Sequence, residues 1–120
     1  MAKLSRIAPE IPVSNLRESV AYYEQQLGFR VVTEMPGGDY AIVERDEIAI
    51  HLFQDEARRH SPVGMHIFTH EIDELYAELK QRGARLSQEI TRKPWGNRDF
   101  RVNDLSENEI KFTEPLPDDA

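Results

Sequence analysis

At 120 residues, with 39% hydrophobic and 31% charged positions, the chain has the size and make-up of one globular domain that can bury a core unaided. It has no cysteine, which excludes disulfides, thiolate catalysis and cysteine-ligated zinc and suits the cytoplasm. A formal charge of −7 opposes DNA or RNA as partner and favours a cationic ligand, whose local concentration the protein's field would raise. No apolar run is long enough to cross a membrane, and Met1–Arg6 lacks the hydrophobic core of a secretory signal.

In chain order, the first expected element is a strand over Ile7–Val13. A helix follows. Asn15 is placed to cap it, with Glu18 as capping-box partner, and Leu16, Val20, Tyr23 and Leu27 make one apolar stripe. Gly28 ends it. Strands are expected over Phe29–Met35, Tyr40–Glu44 and Glu47–Phe53, separated by Pro36-Gly37-Gly38-Asp39 and by a tight turn at Arg45-Asp46. Residues 54–62 are polar and charged, and read as a connector.

The second half repeats this order. A strand over Gly64–Thr69 leads into a helix with the stripe Ile72, Leu75, Tyr76 and Leu79, ended by Gly83. Strands over Leu86–Thr91, Asp99–Asn103 and Glu109–Thr113 follow, and residues 115–120 are expected to fray. The reading is one α+β domain of two βαβββ modules, about residues 6–53 and 63–114, whose mixed sheets curl around a groove with the helices outside.

Alternation assigns the faces. Ile48, Ile50 and Leu52 belong against a helix, which sends His51 to the groove. By the same test Met65 and Ile67 face the core while His66 and Phe68 face the groove, and Lys111 lies between the core residues Ile110 and Phe112. Glu10 holds in the first half the place His66 holds in the second. Tyr40 and Trp95 stand near the groove mouth. Trp95, between Pro94 and Gly96 in a loop, is a costly apolar group to leave wet, which points to binding or an interface.

These residues carry a resemblance. Val13-Ser14-Asn15-Leu16 through Tyr22-Tyr23 to Leu27-Gly28-Phe29 is similar to the opening of the glyoxalase, bleomycin-resistance and dioxygenase superfamily, the vicinal oxygen chelate fold. Ile72 to Glu78 and Pro94-Trp95-Gly96-Asn97-Arg98-Asp99-Phe100, through Asp104 to Asn108 and Phe112, resemble its bleomycin-resistance branch. The metal enzymes of the superfamily hold a cation with four ligands. The resemblance carries those places to positions near Ala8, His51, Gly64 and Lys111, of which only His51 is a good donor.

From the resistance branch it implies an antibiotic groove with Tyr40 and Trp95, and a homodimer whose N-terminal strand crosses over at Pro9. Two departures stand out. Leu105-Ser106-Glu107 follows Asp104 where the branch has proline, a polar residue and glycine, and His66 replaces a tryptophan.

Two functions follow. The first is sequestration, without turnover or cofactor, of a cationic planar antibiotic or similar metabolite by Tyr40, His51, His66, Phe68, Trp95 and Lys111, with no catalytic residue. The alternative is a metal-dependent enzyme in which Glu10, His51 and His66 bind zinc, iron or manganese.

Overall fold

The computed structural model describes residues 1–116. Its elements are β1 (Glu10–Val13), α1 (Leu16–Gln25), β2 (Arg30–Glu34), β3 (Tyr40–Arg45) and β4 (Ile48–Gln54), then β5 (Gly64–Phe68), α2 (Ile72–Gln81), β6 (Arg85–Arg92), β7 (Arg98–Asn103) and β8 (Glu109–Thr113). The two βαβββ modules are therefore present. Each forms its own four-stranded mixed sheet, β1-β4-β3-β2 and β5-β8-β7-β6, with the module's first strand parallel to its last.

Sequence and structure differ most at the first strand. It begins at Glu10 and not at Ile7, whose side chain is 93% exposed along with Leu4 at 101%. The arm before Pro9 touches little of its own chain, so its apolar residues have no sheet to join. The other strand ends move by a residue or so, as fraying permits. Just before the tail expected to fray, Glu114 is tied down by Arg98, and residues beyond 116 lie outside the described residues.

Helix α1 starts where its cap dictates. Asn15 is extended, and its Oδ1 accepts the Glu18 backbone N–H at 3.0 Å. Leu16, Val20 and Tyr23 are buried, as is Leu27 just past the helix end. Gly28 then takes φ +76°, a conformation that favours glycine, and a Cβ there would lie 2.7 Å from an Arg45 guanidinium nitrogen and push it aside. Helix α2 buries Ile72 and Leu79 and half-buries Leu75 and Tyr76, with Tyr76 edge-on to Phe100 at 5.1 Å.

One core joins both modules, and two polar clusters pin them together. Asp104, in the β7–β8 turn, accepts the Tyr23 phenol proton at 2.8 Å, while Asn108 donates to the Pro12 carbonyl at 2.8 Å. Burial first and Asp104 second push the Tyr23 phenol well above its ordinary pKa. On the other side Arg45 donates twice to Glu78, at 2.7 and 2.9 Å, and Arg82 donates to the same carboxylate at 2.7 Å. These bonds, led by Arg45, hold Glu78 below the usual glutamate range.

The molecule is a slab of 45 × 44 × 25 Å with a radius of gyration of 15.0 Å. A compact 120-residue globule would be near about 13.6 Å. The thin dimension fits one sheet layer under one helix layer, packed about 10 Å apart. The two sheets thus lie side by side, with their helix-free faces open.

Candidate functional site

On the first sheet, cross-strand register builds the helix-free face. Glu10 lies beside His51 and His51 beside Ile42, while Pro12, Phe53 and Tyr40 form the next row. Inward-facing neighbours such as Ala41, Ile50 and Leu52 are buried in the core, which fixes the outward set by alternation. Tyr40 ties two rows together. Its hydroxyl donates to Glu10 Oε2 at 2.7 Å, and the same oxygen lies 2.7 Å from His51 Nδ1.

The phenol has one proton. With that proton on the carboxylate side, His51 donates from Nδ1. Partial desolvation first, then the bond to Glu10 and its charge, raise the Tyr40 pKa. The Tyr40 and His51 rings meet edge to face at 5.6 Å. Around this carboxylate–phenol–imidazole chain the face carries Pro12, Ile42 and Phe53, with an Arg30–Glu44 ion pair at its β2 edge.

The second sheet has a different character. His66 lies beside Lys111, Lys111 beside Arg101, and Arg101 beside Gln88, in one row across four strands. The neighbouring row contains Phe68, Thr113 and Asp99. His66 Nδ1 is 3.0 Å from Thr113 Oγ1, and the His66 and Phe68 rings stack at 6.1 Å. Asp99 is buried, accepting from Gln88 Nε2 at 2.7 Å and lying 3.1 Å from Lys93 Nζ.

Trp95 sits at the tip of the β6–β7 hairpin, 67% exposed. The tip is closed by Lys93 N–H to the Asn97 carbonyl at 2.8 Å and by Arg92 to the Gly96 carbonyl at 2.6 Å. The indole is therefore not spent on packing within its own chain.

In register Glu10 lies beside His51 and His66 beside Lys111, while Gly64 pairs with Glu109. The four polar places on the helix-free faces are thus Glu10, His51, His66 and Lys111. Among the described residues no three His, Asp or Glu side chains are gathered closely enough to hold a metal. Glu10 and His51 are engaged through Tyr40, His66 is on the other sheet, and Lys111 brings a positive charge. Within one chain these residues do not fit a metal centre. Glu10 and His51 are brought together as expected, His66 and Lys111 are brought together, and the two pairs remain apart.

A cleft of about 510 Å³, reached by Phe68, opens between the modules on the side of the helix ends. Leu27, Phe29, Ile48, Ile67, Leu75 and Phe112 give it an apolar floor. Asp46, Glu47, Glu71, Glu74 and Glu78 give it an acidic rim, with Arg45 as the cation among them.

Arg101, Glu109, Asp99, Lys93 and Gln88 were not foreseen as site residues. The signal was present: Asp99, Arg101 and Asn103 alternate with the buried Phe100 and Val102.

The family model of the glyoxalase/bleomycin resistance protein/dioxygenase superfamily matches residues 3–112. A bleomycin resistance protein of Geobacillus stearothermophilus is 30% identical over 127 aligned positions, spanning 90% of this chain and 95% of that protein. One from Staphylococcus aureus matches to the same degree. In fold the chain is similar to TioX from Micromonospora sp. ML1, with a TM-score of 0.82 at 20% identity over 93% of this chain and 99% of that one. It is equally similar to the bleomycin resistance determinant encoded on transposon Tn5, at 0.82 and 17% identity over 92% and 98%. It is also similar to a lactoylglutathione lyase from Agrobacterium tumefaciens, at 0.74 and 17% over 93% and 95%. With two βαβββ modules, a match along nearly the whole chain and full-length relatives at 30% identity, the chain belongs to the glyoxalase/bleomycin resistance protein/dioxygenase superfamily.

Proposed function

We propose that this protein sequesters a planar small molecule, of the bleomycin class or similar, and does not transform it. The carrying observation is the state of the four places facing the groove: Glu10 and His51 are joined through Tyr40, and His66 is paired with Lys111. A phenol and an ammonium stand where chemistry would want a cation with open positions. The full-length relatives named bleomycin resistance proteins agree with this reading. Tyr40, Phe68 and Trp95 supply flat surfaces for stacking, and a net charge of −7 draws a ligand with a cationic part.

The working unit in this reading is a cytoplasmic homodimer. Two copies would oppose the aromatic sheet of one to the ionic sheet of the other, with arms exchanged at Pro9. Charge complementarity supports the exchange. The exposed arm carries Lys3, Leu4, Arg6 and Ile7, and the cleft between modules offers an apolar floor with an acidic rim.

Titration with metal-free bleomycin tests the proposal, followed through Trp95, the chain's single tryptophan. Saturable change in emission, with antibiotic recovered at unchanged mass, is the expected result. No change up to millimolar antibiotic removes this ligand, and an altered mass removes sequestration. The alternative, a zinc, iron or manganese enzyme using Glu10, His51 and His66, is favoured only by the equivalent register of Glu10 and His66. Stoichiometric metal in the purified protein, lost in His51→Ala, would decide for it.

A further inference from the structure

We infer that Lys111 and Arg101, flanked by His66 and Gln88 on the second sheet, form a subsite for an oxyanion of the ligand, a carboxylate or phosphoryl group. The inference rests on reading this face as part of the ligand groove.

Register places the two cations directly opposite each other on β8 and β7. Like charges so placed destabilise a sheet unless something lies between them. Both side chains are only partly in water, Lys111 at 28% exposed and Arg101 at 30%. Nor is either satisfied by its neighbours. Glu109 Oε1 lies 3.7 Å from Lys111 Nζ and 3.8 Å from an Arg101 terminal nitrogen, and Asp99 Oδ2 lies 3.7 Å from Arg101 Nε. These are ion-pair distances, beyond hydrogen-bond reach.

Asp99 gives its close contacts to Gln88 and Lys93 instead. Arg101 Nε is consequently buried with no hydrogen-bond partner. Lys93, Arg101 and Lys111 outnumber Asp99 and Glu109 here, so this patch has the opposite sign to the chain as a whole. A guanidinium fork and an ammonium, side by side with unspent N–H groups, match the donor needs of a carboxylate or phosphoryl group. A ligand seated against this row and drawn by the overall field is then zwitterionic.

Three aromatic probes differing only in the charged head test this: benzoate, phenyl phosphate and benzamidine, titrated calorimetrically into the full chain. The two anions are expected to bind roughly tenfold or more tightly than the cation, since one charge-assisted bond is worth that much. Whichever anion wins names the head group. Lys111→Met and Arg101→Met are each expected to lose about tenfold in anion affinity. Arg17→Met, an exposed charge on α1, is expected to change nothing.

Glu109→Gln should move the other way and tighten anion binding, because it removes the carboxylate charge within 3.8 Å of both cations; damage to folding cannot produce that sign. Benzamidine binding as well as the anions, or anion affinity indifferent to Lys111→Met and Arg101→Met, overturns the subsite. The two readings fail separately. Anion selectivity without bleomycin binding keeps the subsite and discards that ligand. Bleomycin binding with no anion preference keeps sequestration and discards the subsite.

Discussion

Asp104 has no exposure to water, yet its carboxylate is fully used. Oδ1 accepts the backbone N–H groups of Ser106 at 2.8 Å and Asn108 at 2.9 Å, and Oδ2 accepts Tyr23 Oη at 2.8 Å and Asn108 Nδ2 at 2.9 Å. The same turn absorbs the departure at Leu105-Ser106-Glu107. Glu107 takes φ +67°, the left-handed conformation otherwise given to glycine, and Ser106 accepts the Ser14 backbone N–H at 2.9 Å. Asp104→Asn would put an NH₂ group against donors, whichever way the amide turns. We expect it to cost about 3 kcal/mol, read from the shift of the urea midpoint. Tyr23→Phe, which leaves Asn108 on Oδ2, should cost less, about 1–2 kcal/mol.

Among the elements, the connector between the modules is more ordered than its polar composition implied. Asp55 accepts the backbone N–H groups of Arg59 and His60, each at 2.9 Å, and Arg58 turns the chain with φ +53°. The His60 and Arg59 backbone bonds hold the Asp55 carboxyl below the ordinary aspartate value. Its contribution to stability is therefore complete above the unfolded value, near about pH 4, and is lost as pH falls through the lower folded value. Asp55→Asn should lower the urea midpoint at pH 7, with the deficit closing as pH falls below about 4.

Elements with both an apolar stripe and a cap or turn were legible: α1 begins at its Asn15 cap, and β8 runs over Glu109–Thr113 as expected. The first strand was overextended because Ile7 is apolar, and an exposed apolar residue reads in sequence like a paired one. The placement of His51, His66 and Lys111 on the helix-free faces was legible by alternation. The Lys111–Arg101 pairing was not, because it depends on strand register, and β6 meets β7 through irregularities around Gln88 that no local pattern announces.

For the whole molecule, the exposed arm makes the sharpest prediction. Removal of residues 1–8 should leave the far-ultraviolet dichroism intact and convert a dimer into a monomer by light scattering after size exclusion. A full-length chain that is already monomeric at tens of micromolar would end the exchange reading. The thickness of 25 Å gives the same argument from shape, since it leaves both helix-free faces on open sides of the slab.

On the proposed dimer, that openness would set a dosage rule. A binding pocket walled by two copies exists only as far as those copies have associated, so below the dimer dissociation constant its abundance rises with the square of protein concentration. Any molecule trapped there adds its own binding energy to the association. Protection conferred by such a protein would switch on over a narrow span of expression, and the compound being captured would help to build its own trap.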